Sequence, residues 1–131
     1  MNEETKIEEK VNTEINREIV EKLDVLLYKE GGKIIAECLT YKCKTHGFTP
    51  REATKNFKDL LINSVTGNIL NGKEPFDDMN HKSEVLVNKL RKTYNDSRKL
   101  PIETKLNIPE KVKDTFPIIR QIRFRSIIRY K

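Results

Sequence analysis

Arg51, Thr54, Lys55 and Lys58 fall at spacings that place them on one side of a helix, if the segment around them is helical. Arg120, Arg123, Arg125 and Arg129 follow near the end of the chain, where no acidic side chain occurs after Asp114. Guanidinium and ammonium groups in such rows make charge-assisted hydrogen bonds to phosphate or carboxylate oxygens. A second candidate chemistry comes from Cys38, Cys43 and His46, spaced C-x4-C-x2-H. Helical residues five apart diverge by about 140°, so the two thiols do not converge on one ion. A fourth ligand would have to be the remote His81, and the same geometry opposes a disulfide. Small buried cysteines are the expectation, with no metal. The chain has no P-loop, no G-x-S-x-G and no paired-histidine zinc motif. A non-enzyme without a cofactor or small-molecule substrate is therefore expected.

Net charge sharpens the first chemistry. Residues 1–30 carry nine acids and five bases, a net of −4. Residues 31–78 carry six acids and seven bases, a net of +1, and residues 79–131 carry five acids and fourteen bases, a net of +9. A basic half on an otherwise balanced chain suits a polyanionic partner, and a solvated basic face is the alternative. With 131 residues, one domain with extensions is expected. No run of 18 apolar residues occurs, so no membrane span or membrane partner is expected. The acidic start MNEETKIEEK is unlike a signal peptide, and two cysteines suit a reducing cytosol, so a cytoplasmic, nucleoid-associated protein is expected.

The elements that must position these groups follow from periodicity. Ile7, Val11, Ile15, Ile19, Leu23, Leu26 and Leu27 recur at helical spacing, which predicts a helix whose core-facing part is 13–29, closed by Gly31-Gly32. A short strand is expected at 33–35 and a short helix at 36–46, with Phe48 a buried anchor in the turn that follows. Thr49-Pro50-Arg51-Glu52 carries an N-cap, a first-turn proline and a capping-box glutamate, so a helix is expected over 50–64. Its Ala53, Phe57, Leu60 and Leu61 face the core. Asn71-Gly72 is a preferred hairpin tip, which predicts two short strands over 69–76. A helix is expected over 79–97, with Leu86, Val87, Leu90 and Tyr94 on one face. Loop follows over 98–117, with a short helical turn at 109–115. Residues 118–131 alternate as a strand with one basic face, and a basic helix is the alternative.

Residues 19–76 resemble the winged helix-turn-helix superfamily. The similarity is to small archaeal winged-helix modules of replication and transcription proteins, including the C-terminal module of the minichromosome-maintenance helicase. It rests on LLYKEGGKI, IAECLTYKCKTHG, TPREATKNFKDLLINS and GNILNGKEPF. It implies an α+β, mainly helical fold with a two-stranded wing. The expected organisation is a polar extension at 1–12, a winged-helix domain at 13–78 and a basic extension at 79–131 packed on that domain. The resemblance implies a double-stranded DNA-binding protein, a transcriptional regulator or replication-associated factor, with the third helix in the major groove. That implicates Arg51, Thr54, Lys55 and Lys58 on the helix and Asn71 and Lys73 at the wing. Arg120, Arg123, Arg125 and Arg129 would add electrostatic grip. A homodimer is expected through the apolar stripe Ile7, Val11 and Ile15. The alternatives are a protein-interaction module, and a single-stranded DNA or RNA binder that stacks bases on Phe124 and Tyr130.

Overall fold

In the computed structural model, which describes residues 18–102 and 105–128, Gly31 and Gly32 both take positive φ, 57° and 78°. Positive φ at both central positions is what the tight two-residue hairpin turn demands. The glycine pair therefore reverses a strand instead of capping a helix. Strand β1, Ile19–Glu30, pairs antiparallel with β2, Lys33–Cys38, from Glu30↔Lys33 to Val25↔Cys38. Strand β3, Lys44–Gly47, continues the meander on β2.

The helices expected over 13–29 and 36–46 are thus not formed where those residues are described: 19–29, 36–38 and 44–46 are strand, and 39–43 turn between β2 and β3. The apolar spacing that suggested a helix has a different cause. Leu23 to Leu27 are buried without a break, because β1 is covered on both faces. Such a strand loses its two-residue alternation, and periodicity no longer separates it from a helix.

Helix α1, Pro50–Leu70, forms where its cap predicts. Thr49 is the N-cap and its hydroxyl accepts from the Glu52 amide at 3.1 Å. The helix runs past the expected end at 64. Asn71 closes it, donating from its side chain to the Gly67 carbonyl, and Gly72 takes φ 71° just beyond. Asn71-Gly72 is therefore a helix stop, and the two-stranded wing is absent. Asp78 instead accepts from Asn68 and Ser64, which ties residues 73–78 back to α1.

Ser83 caps helix α2, Glu84–Asn95. Two residues, Arg98–Lys99, form β4, and Glu110–Val112 make one 3-10 turn within the expected 109–115. Strand β5, Ile118–Ser126, then returns parallel to β1, from Ile19↔Ile118 to Leu27↔Ser126. The sheet order is β3-β2-β1-β5-β4. Among the described residues the fold is a mixed five-stranded sheet with two α-helices, so it is α+β but neither mainly helical nor a winged helix. The expected N-terminal helix contacts at Ile7, Val11 and Ile15 lie outside the described residues.

Strand alternation assigns each residue to a face. On one face Leu23, Val25, Leu27, Ala36, Cys38, Ile122 and Phe124 form the main core with Ala53, Phe57, Leu61 and Val65 of α1. Phe57 meets Phe124 edge-on, with ring centroids 6.1 Å apart. Gly47 makes this approach feasible, since a β-carbon there would lie 2.6 Å from the Ala53 nitrogen. On the other face Leu26 and Leu39 meet Tyr94 of α2, with Leu90 and Tyr28 beside them. The helices accordingly cover opposite faces. Phe48, expected as a buried anchor, is 69% exposed.

Candidate nucleic-acid interface

Asp24 sits inside the apolar run Leu23–Leu27 and alternation turns it toward α2, where it is buried. An unpaired carboxylate there would be costly, and three donors meet it. Arg123, its neighbour across the parallel pair, clamps it from both sides of the guanidinium: Nε lies 2.6 Å from Oδ1 and Nη2 lies 2.9 Å from Oδ2. Arg91 Nη1 approaches Oδ2 at 2.5 Å, and the Tyr94 hydroxyl donates to Oδ1 at 3.1 Å. Burial alone would raise the Asp24 carboxyl. The hydrogen bonds from Arg123, Arg91 and Tyr94 outweigh it and hold the group below the usual carboxylate range. Burial and the Asp24 charge together push the Tyr94 phenol up to about 12.

A third guanidinium completes the cluster. Arg125 lies opposite Leu26 in β1 and donates through Nε to the Ser97 hydroxyl at 3.0 Å and through Nη2 to the Ser97 carbonyl. The guanidinium carbons of Arg91, Arg123 and Arg125 stand 5.4, 6.0 and 5.5 Å from the centre of the Tyr94 ring. The negative face of an aromatic ring offsets part of their mutual repulsion. One carboxylate faces three permanent cations, so the cluster keeps an excess of positive charge. The Arg91 and Arg123 side chains remain 37% and 35% exposed. Lys89 and Lys92 are exposed on α2, and Lys99 stands exposed on β4 opposite Arg125. Together these groups make a basic surface over α2, β4 and β5.

A second ionic group on the same sheet face is closed. Lys82, buried, donates to Glu37 at 2.7 Å and to the Cys38 carbonyl, while the Tyr28 hydroxyl donates to the other Glu37 oxygen at 2.7 Å. Burial would raise Glu37, but the Lys82 and Tyr28 hydrogen bonds lower it overall. Here the charges balance one to one, which is the arrangement of a structural pair.

The residues singled out in the sequence separate into three places. Arg51 and Lys55 are exposed on α1, and Lys55 pairs with Asp59 at 3.5 Å. Thr54, expected to face a groove, is buried at 2% exposure and donates to the Arg51 carbonyl. Lys58 is half-buried on the same helix. Asn71 and Lys73 are exposed, but at the end of α1 and not on a wing. Arg120 pairs with Glu21 at 3.2 Å, and Arg129 lies outside the described residues. Among the described arginines of β5, Arg123 and Arg125 come together. The sheet stands between them and the α1 cations. Phe124, proposed to stack bases, is buried against Phe57, and Tyr130 is not among the described residues. Sequence reasoning did not assign Asp24, Arg91, Tyr94 and Lys99 to a site. One signal was available: a lone acid inside an apolar run calls for a cationic partner.

Cys38 and Cys43 are free and buried, and burial raises both thiols, Cys43 to about 12. Among the described residues no three His, Cys, Asp or Glu side chains are placed to hold a metal ion. No described helix is long and apolar enough to cross a membrane. No family model matches the chain, and neither a curated protein nor a solved structure matches it.

Proposed function

We propose that the chain binds double-stranded DNA, with the phosphate backbone lying against the basic surface of α2, β4 and β5. The observation that carries this reading is the excess of guanidinium charge around Asp24 and Tyr94, held in place by hydrogen bonds and not by solvent. Fixed guanidinium forks lose little entropy when they take up phosphate oxygens. Duplex is favoured over single strands because the Tyr94 ring of this surface is buried and cannot stack bases. Contact through phosphates positions the protein without itself reading sequence.

Gel shifts with duplex DNA, single-stranded DNA and RNA at two salt concentrations test this. Duplex affinity should fall steeply with salt, with a log–log slope of about −0.9 per phosphate neutralised. Lys89→Glu with Lys92→Glu should weaken duplex binding at least tenfold and flatten that slope, while Lys55→Glu should change little. Retention of duplex binding by the α2 double variant, with loss in the α1 variant, would move the interface to the opposite face of the sheet.

A further inference from the structure

A cavity of about 350 Å³ opens between β4, β5 and the end of α2. Lys99, Arg123 and Arg125 line it together with Leu100, Pro101 and Ile102. None of the described residues that line it is acidic. Asp24 and Ser97 hold the two guanidiniums, which leaves the remaining guanidinium N–H groups uncommitted by those bonds. The cavity is therefore cationic, preorganised, concave and partly apolar.

That combination differs from what a duplex flank requires. Internal phosphates of a duplex lie on a convex surface and carry one charge each. A terminal phosphomonoester carries close to two charges near neutral pH and is attached to a group that can enter a recess. The volume lies at the lower end of small-ligand sites, which exceeds the needs of a phosphate alone and leaves room for the attached sugar or base against Leu100, Pro101 and Ile102. We propose that this cavity seats a nucleotide through its terminal phosphomonoester, with Arg123, Arg125 and Lys99 on the phosphate. The assignment of that nucleotide to the end of a DNA strand rests on the duplex-binding reading above. A free mononucleotide has the same chemistry.

Fluorescence anisotropy separates the cases. The ligands are a short blunt duplex with 5′-phosphate, 3′-phosphate or hydroxyl ends, a covalently closed circular duplex, and a nucleoside 5′-monophosphate with its nucleoside as competitors. One phosphorylated end should bind about tenfold tighter than the hydroxyl end, the yield of one added charge-assisted contact. Lys99→Ala and Arg125→Ala should each bring phosphorylated and hydroxyl ends level, with melting curves confirming that both variants fold. Competition by the monophosphate as strong as that of strand ends assigns a free nucleotide, and preference confined to strand ends assigns a terminus. Equal binding of all ends, with no competition by the monophosphate, overturns the cavity assignment. Closed-circle binding in that case leaves the duplex interface standing. Binding of the monophosphate without any duplex binding would do the reverse.

Discussion

Asp24 does two things at once: it makes a cationic cluster affordable inside a sheet face, and it leaves that cluster short of negative charge. Removing it strands Arg91 and Arg123 against each other and against the Tyr94 ring. Asp24→Ala should cost about 3 kcal/mol in urea unfolding, near the lower bound for a broken buried pair because both guanidiniums reach solvent. The pH dependence has a defined sign. Asp24 and Glu37 both titrate lower in the folded state than their ordinary values. Their contribution is complete above the unfolded carboxylate range, about pH 4, and is lost as the pH falls through the lower folded values. Acid unfolding of Asp24→Ala should accordingly show a shallower loss of stability below about pH 4 than the parent chain. An unchanged acid limb would mean that Asp24 is not ion-paired.

Among elements, α1 was the most legible. Its N-cap, first-turn proline and Phe57/Leu61 face are local signals, and local signals survive in sequence. Its far end was misread, because Asn71-Gly72 serves equally as a hairpin tip or a helix stop, and only the neighbouring Asp78 contacts decide. Strand β1 was illegible for the opposite reason: covered on both faces, it carries no alternation to read. The start of α1 also depends on Gly47, where an added β-carbon would meet the backbone of Ala53 at 2.6 Å and of Glu52 at 2.9 Å. Gly47→Ala should destabilise by about 2 kcal/mol through forced displacement of α1. Thr49→Ala should cost about 1 kcal/mol through the lost cap. Thermal unfolding of the pair ranks them, and the reverse order would show that α1 can slide away from β3.

For the whole molecule, the parallel pairing of β1 with β5 matters most, since it joins residues about one hundred positions apart in the chain. The basic C-terminal strand is not an edge ornament. It lies between β1 and β4 and contributes Ile122 and Phe124 to the main core. Deleting residues 118–131 should therefore abolish cooperative unfolding by circular dichroism, with loss of most native signal. A truncated chain that still melts cooperatively would show that the β1–β2–β3 meander and α1 stand alone. The same pairing puts Arg123 beside Asp24 and Arg125 beside Leu26, so the candidate interface exists only once the sheet closes.

By itself the sequence determined what nearest neighbours decide: the cap and core face of α1, the alternation of β5, and the concentration of positive charge after residue 78. Tertiary structure alone decided that the run before Gly31 is a strand, that the cations of α1 and the Arg123 and Arg125 of β5 stand on opposite faces, and that two arginines share one carboxylate. Short-range preferences are set by backbone sterics within a few residues, whereas strand partners across the chain are selected by burying both faces of one sheet, a condition no local window contains.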